Sequence, residues 1–435
     1  MRWLNCVRLC LAVAVAPSLG CSENNSGPES GRASGGQAGT GGAAGRVDTM
    51  AGTELGDGDA ASSTAAETGE AGAAGRLDGG SAGQGGASAG HDEAGNADTA
   101  VAGGDSADGG EVSDGGPETD AAVGMVGQGA CLGAAYDPLA PPKALTLSGN
   151  LGAHDPAAYV VGKTIYLAAT GLTGKTSTNL TSWTGSANPL ATPGWAKTAT
   201  GATELWAPDI SFFGGAYHLY YAASTFGHNK SCIGQATRAA LDSGSWADQG
   251  RVICSNVNSN DDWNAIDPNI VVDDDGTPWL ALGSFWSGLK MVKLKLDGTL
   301  ADTTVYALAN GANSRGSLEG AWVFKRCGYY YLFSSWGACC DTPFGYNIRV
   351  GRSKTVTGPY VDKAGVSLMS GGGTELVKGN ESWSAPGHNA VIVYENRTYN
   401  VYHALAAPSG SNGPATLRIA EIVWDADGWP VSGGP

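Results

Sequence analysis

From about residue 145 to the C-terminus, short apolar runs alternate with polar turns, and signs of long helix are scarce. One order recurs: a polar residue, an apolar run, a tight turn, an aromatic-rich run. His154-Asp155-Pro156 precedes Tyr159-Val160-Val161 and Ile165-Tyr166-Leu167. Ala207-Pro208-Asp209 precedes Ile210-Ser211-Phe212 and Tyr217-His218-Leu219-Tyr220-Tyr221. Ile266-Asp267-Pro268 precedes Ile270-Val271-Val272 and Trp279-Leu280-Ala281-Leu282. Leu318-Glu319-Gly320 opens the fourth unit, ahead of Tyr329-Tyr330-Tyr331-Leu332-Phe333, and Ala385-Pro386-Gly387-His388 opens the fifth. Each unit reads as a hairpin with a polar side chain at the mouth of its first strand. A spacing of roughly 50–70 residues is that of propeller blades. The pattern predicts an all-β, five-bladed β-propeller whose polar strand mouths converge on one axis.

The pattern is absent from the first part of the chain. Residues 1–21 have a charged start, a short apolar stretch from Leu9 to Val15 and the lipobox-like Ser18-Leu19-Gly20-Cys21. They read as a signal peptide, with Cys21 a lipidation site or, alternatively, a spare thiol beside an ordinary secretory cleavage site. Residues 22–130 are Gly, Ala, Ser and acidic residues with almost nothing to bury. They read as a disordered linker with a coil reach of roughly 60 Å. The propeller is placed at 131–435.

The net charge of −16 belongs mostly to the linker region. Residues 1–130 hold 18 acidic and 5 basic groups, which leaves 23 and 20 from the chain's 41 and 25 for the rest. The globular part is near neutral and gives no reason to propose nucleic acid as a partner. Outside the cytoplasm, disulfides are allowed. Cys232 and Cys254 lie in strand-like stretches of one unit and are expected to pair. Cys339-Cys340 is a vicinal pair that can close a strained ring, pair elsewhere or stay reduced. No Cys/His spacing suggests zinc.

Asp155, Asp267 and Glu319 open the inner strands of three units. Taken singly, an Asp before Pro is a turn residue. Three acids in one register instead suggest a catalytic pit. Hydrolysis of a glycoside needs one carboxyl to protonate the leaving oxygen and one to activate water or attack the sugar; a third acid nearby raises the donor's pKa. Asp209 sits at what reads as the same register and is assigned a supporting role. Asp273-Asp274-Asp275 reads as a solvated turn. Sugar rings stack on flat apolar faces, and Trp206, Trp263, Phe285 and Trp286 flank the strand mouths. His388 is either a core histidine or, beside the acids, a cation ligand.

These segments together resemble the arabinan endo-1,5-α-L-arabinanases of glycoside hydrolase family 43. The resemblance rests on His154-Asp155-Pro156, Trp206-Ala207-Pro208-Asp209-Ile210, Asn264-Ala265-Ile266-Asp267-Pro268-Asn269, Gly283-Ser284-Phe285-Trp286-Ser287-Gly288, Cys339-Cys340, Tyr346-Asn347-Ile348-Arg349-Val350-Gly351-Arg352-Ser353 and Pro386-Gly387-His388. It implies an inverting mechanism with Asp155 as general base, Glu319 as general acid and Asp267 tuning Glu319 and orienting substrate. It further implies Asn264, Ser284 and Phe285 as substrate contacts, with Trp206 and Trp286 expected beside them, and Ca²⁺ at the propeller axis on His388. Two motifs depart from the family pattern. Glu319-Gly320-Ala321 stands where Glu-Ala-Pro or Glu-Gly-Pro is usual, and Asp341-Thr342 stands where Arg-Gly follows the cysteine pair.

The expected protein is an extracellular or cell-surface enzyme, lipid-anchored to a bacterial membrane and monomeric. It would cleave internal bonds of plant cell-wall arabinan or a related polysaccharide. The alternatives are an exo-acting α-L-arabinofuranosidase or β-xylosidase of the same fold and, more remotely, a non-catalytic carbohydrate-binding propeller.

Overall fold

The computed structural model describes residues 131–187, 190–311, 317–339, 345–407 and 413–435. The signal peptide, Cys21, the 22–130 linker and Cys340 lie outside the described residues. Strands fall into five sheets. Blade one holds β1 (Ser148–Gly149), β2 (Ala157–Val161), β3 (Thr164–Ala169), β4 (Thr173–Ser177) and β5 (Ser182–Ser186). Blade two holds β6 (Trp206–Phe213), β7 (Ala216–Ala223), β8 (Ser231–Arg238) and β9 (Ala247–Ser255). Blade three holds β10 (Asn269–Val272), β11 (Pro278–Leu282), β12 (Leu289–Lys293) and β13 (Tyr306–Ala309). Blade four holds β14 (Leu318–Arg326), β15 (Tyr329–Trp336), β16 (Asn347–Ser353) and β17 (Thr374–Lys378). Blade five holds β18 (Trp383–Tyr394), β19 (Arg397–Ala406), β20 (Ala415–Trp424) and β21 (Pro430–Ser432).

Within blades two to five the strands pair antiparallel in chain order; in blade one, β1 adds parallel to β5. Each inner strand touches the next, and β18 touches β2, so the ring is closed. This is the five-bladed propeller the repeat predicts.

Packing follows from the alternation of apolar positions. A separate apolar cluster fills each seam between neighbouring blades. Ile165, Leu167 and Trp183 of blade one meet Ile392, Val401 and Ile419 of blade five. Leu219 and Tyr221 of blade two meet Ala168 of blade one. Tyr220 and Ile233 meet Ile270 and Leu280. Met291 and Leu308 meet Val323 and Leu332. Phe333 and Val350 meet Val391 and Tyr402. Each such side chain contributes about 1.5–3 kcal/mol by leaving water, so the ring is held at every seam rather than by one central core.

Both ends of the described chain close the ring on β20. Leu145 N–H donates to Ile419 O (2.7 Å), Ala153 N–H to Ala415 O (3.1 Å), and Leu417 N–H to Leu151 O (2.8 Å). Pro430–Ser432 pairs with the far end of the same strand. A Cys131–Cys327 disulfide, not expected from sequence, ties the start of this segment to the β14–β15 turn. The expected Cys232–Cys254 disulfide joins facing residues of β8 and β9, with Cα atoms 4.0 Å apart.

Two features at the inner-strand mouths place the site. Asp155, Ala207, Asp267, Gly320 and His388 all have positive φ, between 36° and 61°. Four of these are not glycine, an uncommon and costly state that clusters at functional sites. Irregular register follows in β6, β14 and β18; such bulges re-aim side chains. The equivalence also corrects two readings. Ala207, not Asp209, shares the register of Asp155 and Asp267, and in blade four Gly320 holds that register while Glu319 stands one residue earlier, still paired with Ser335. Asp209 lies beyond the proline and is buried, accepting a hydrogen bond from Asn269 Nδ2 (2.9 Å). It links blade two to blade three, in keeping with a supporting role.

Candidate active site

The three acids come together around His388. Its Nδ1 lies 3.1 Å from Asp155 Oδ1, and its imidazole feels the charges of Asp155, Asp267 and Glu319. Its backbone N–H donates to Ser335 Oγ (2.7 Å), which fixes the bulged turn.

Asp155 is held on every side. Thr170 Oγ1 donates to Oδ2 (2.6 Å), and His154 Nδ1 contacts the same oxygen at 2.7 Å. Thr170 is itself fixed by accepting from Ala207 N–H (2.9 Å). The Asp155 N–H donates to Nδ1 of the fully buried His403 (3.1 Å), whose ring stacks on His154. Burial alone would raise the Asp155 pKa. The His154 and His388 imidazoles overcome that and hold the carboxyl well below the usual range.

Glu319 is the opposite case. Ser284 Oγ donates to Oε2 and Tyr346 OH to Oε1, both at 2.9 Å. Those bonds favour the charged form, yet burial outweighs them and, with the Asp155 charge, raises the carboxyl above its ordinary value. Asp267 Oδ2 accepts from Gly320 N–H (3.0 Å), which seats it beside Glu319. Burial, opposed by His388 and aided by Glu319 and Asp155, pushes Asp267 up to about 7. His388 loses by burial but gains more from the three acids, and rises to about 9. The pit therefore holds one carboxylate kept ionised and two carboxyls biased toward the protonated form. That division is what acid–base hydrolysis of a glycoside requires.

Ser284 is presented by a tight loop between β11 and β12. Phe285 and Trp286 both have positive φ (50° and 43°), and a Cβ at Gly288 would stand 2.1 Å from Ala309 O. Phe285 N–H donates to Leu318 O (2.8 Å), docking the loop beside Glu319. Trp286 projects with 41% exposure, as suits a stacking face. Trp206 is half-buried at the start of β6. Asn264 is buried with no hydrogen-bond partner for Oδ1. Trp263, expected at the cleft, instead packs into the blade two–three seam with Phe213 and Ala265. The Asp273 turn is not simply solvated, since buried Lys325 pairs with Asp273 and Asp274.

Sequence reasoning missed His403, Thr170 and Ser335. His403 lies mid-strand in Val401-Tyr402-His403-Ala404, a run that reads as core. Thr170 follows an apolar run, and Ser335 sits inside Phe333-Ser334-Ser335-Trp336, so neither carried a signal.

Comparison with known proteins gives the site its class. Residues 149–430 match the model of glycosyl hydrolases family 43, and the chain belongs to that family; it is a glycoside hydrolase. It is 40% identical over 287 residues to the extracellular endo-alpha-(1->5)-L-arabinanase 1 of Bacillus subtilis, covering 64% of this chain and 86% of that protein. It is equally, 40%, identical over 298 residues to an extracellular exo-alpha-(1->5)-L-arabinofuranosidase of Cellvibrio japonicus, covering 64% and 85%. Among solved structures, the family 43 endo-arabinanase of Bacillus licheniformis superposes with a TM-score of 0.61 at 40% identity, covering 66% of this chain and 99% of its own.

Proposed function

We propose that this enzyme hydrolyses internal 1,5-α-L-arabinofuranosidic bonds of arabinan with inversion. The observation that carries the reading is the unlike setting of two acids in one pit: Asp155, paired with His154 and His388 and held low, and Glu319, buried between Ser284 and Tyr346 and raised above its ordinary value by burial. Asp155 takes a proton from water as that water attacks the anomeric carbon. Glu319 gives its proton to the departing sugar oxygen. Asp267, seated beside Glu319 by the Gly320 N–H, disfavours a second negative charge in the pair and orients the ring, while the Asp155 charge adds to burial in raising Glu319. Ser284 and Tyr346 aim the Glu319 carboxyl, while Asn264 Oδ1 can accept a sugar hydroxyl and Phe285, Trp286 and Trp206 offer flat faces. The endo-arabinanase relatives support the substrate class.

An exo-acting α-L-arabinofuranosidase is the second reading, favoured by the equal identity to the Cellvibrio japonicus enzyme. Product analysis on linear arabinan separates the two. Oligomers of mixed length released early support endo action, and one short product from chain ends supports exo action.

For calcium, the donor set fits as a hydrated site. His388 would supply the protein nitrogen while water supplies oxygens, and the ionised Asp155 beside it would favour a cation. Bound Ca²⁺ would place fixed positive charge at the axis. Because His388 is raised to about 9, the ion competes with a proton there. We also place the enzyme outside the cytoplasm, as the relatives' names and the lipobox-like Cys21 support, acting as a monomer on polysaccharide without a nucleic-acid partner.

A further inference from the structure

Beside Asp155 lies a second cluster that the hydrolytic reading does not use. Cys339 comes from the segment just after β15 in blade four, His154 from the mouth of blade one and His403 from β19 of blade five. One ligand atom from each lies within 4.8 Å of the others. Cys339 Sγ stands 3.8 Å from His154 Nε2. For a tetrahedral ion with metal–sulfur and metal–nitrogen bonds of ~2.3 and ~2.0–2.1 Å, the two donors would be roughly 3.6 Å apart, so the observed pair needs little adjustment.

Two further observations point to a ligand. His154 contacts Asp155 Oδ2 through Nδ1 (2.7 Å), which puts its proton there and turns the Nε2 lone pair toward the sulfur. A carboxylate behind a histidine is the usual support of a metal-ligating imidazole. His403 accepts the Asp155 N–H on Nδ1, so its own proton sits on Nε2. That nitrogen is fully buried and has no hydrogen-bond partner. A buried donor without an acceptor is costly, and calls for an explanation.

We propose that Cys339, His154 and His403 form a soft transition-metal site, suited to Zn²⁺, and that filling it silences Asp155. A thiolate with two imidazoles selects such an ion over Ca²⁺. On binding, the Cys339 thiol releases its proton to solvent and its sulfur coordinates. His154 coordinates through Nε2 and keeps its Nδ1 proton. His403 coordinates through Nε2, and its proton moves to Nδ1, leaving a net release of one proton; water completes the shell. The new His403 Nδ1–H then faces Asp155 Oδ1, now 3.8 Å away, and gives up the Asp155 backbone contact. Oδ1 then carries His403 as well as His388, while Oδ2 keeps Thr170 and His154, so no lone pair of the base is left for water. Spacing along the sequence did not show this site because its three donors come from three blades. The silencing rests on the reading of Asp155 as base; the binding itself does not.

The test uses the full chain held in excess Ca²⁺, so that the axial site is constant. Co²⁺ added alone reports binding by a thiolate-to-cobalt charge-transfer band in the near ultraviolet, and Zn²⁺ reports silencing by loss of arabinan hydrolysis. The expected result is a band that Zn²⁺ abolishes, and Zn²⁺ inhibition at least tenfold weaker in Cys339→Ala and Cys339→Ser but unchanged in Cys340→Ser. On the unsubstituted protein, Zn²⁺ should slow iodoacetamide alkylation of Cys339, located by fragmentation mass spectrometry. No charge-transfer band, or a Cys339 that is not alkylated without metal or is alkylated equally fast with it, overturns the site. A band and protection without inhibition keep the site and overturn the silencing of Asp155.

Discussion

Tyr346 reaches Glu319 because residue 387 is glycine. The phenol donates to Glu319 Oε1 at 2.9 Å, and a Cβ at Gly387 would stand 1.8 Å from Tyr346 Cε1. The ring is fully buried with no room to retreat. Gly387→Ala should therefore displace Tyr346 and lower kcat by about tenfold or more, on the scale of a misplaced catalytic contact. Steady-state kinetics beside a thermal melt checks this; unchanged kcat in a folded variant contradicts the packing argument.

The same contact sets a pH dependence. The hydrogen bonds from Tyr346 and Ser284 lower the Glu319 pKa against the larger effect of burial. Removing either bond must raise it further. In Tyr346→Phe and Ser284→Ala, the alkaline limb of kcat/KM should move to higher pH, and Gly387→Ala should move the same way. The acid limb, set by Asp155, should lie well below the ordinary carboxylate range in all of them. A downward shift of the alkaline limb would show that these groups serve the protonated acid instead.

Asp209 offers a prediction about stability rather than chemistry. Burial raises its pKa to about 7, despite the hydrogen bond from Asn269. Its unfolded value is near 3.8, so between those limits the folded state binds the extra proton. Stability then falls as pH rises from about 4 to about 7. Asp209→Asn keeps an acceptor for Asn269 and carries no charge. It should melt roughly 2–5 °C higher than the parent at pH 8 and level with it at pH 4. A lower melting temperature at pH 8 would mean that the charged form is the favoured one.

How much of this was legible in the sequence depended on what each residue answers to. Asp155 and Asp267 could be placed because a repeated strand mouth fixes their register whatever the neighbouring blades do, and Glu319 stands one residue before that position in blade four. Asp209 was misregistered because the strand bulges between Trp206 and Asp209, and backbone φ shows that Ala207 is the counterpart. Trp263 has the composition of a cleft residue, but the seam between blades two and three claims it. His403 and the Cys131–Cys327 disulfide depend on closure of the ring. Contacts made only when the last blade meets the first leave no local pattern.

The proposed Ca²⁺ site on His388 carries a prediction of metal dependence. Since Ca²⁺ must displace a proton held to about pH 9, its affinity should rise with pH. Chelation should lower activity or melting temperature, and Ca²⁺ should restore it. His388→Ala should resemble the chelated enzyme and ignore further chelator. If isothermal titration finds Ca²⁺ binding equally tight at pH 6 and pH 9, or retained in His388→Ala, the ion is held elsewhere.

The central claim is that Asp155 activates water while Glu319 protonates the leaving sugar. Proton NMR of linear arabinan during the first turnovers tests it most directly. The account predicts that new reducing ends appear first as the β-anomer, and that Asp155→Ala and Glu319→Ala, each still folded, lose ~10²–10⁴-fold or more of this activity. Reducing ends that appear first as the α-anomer, or near-parental rates in either variant, would contradict it.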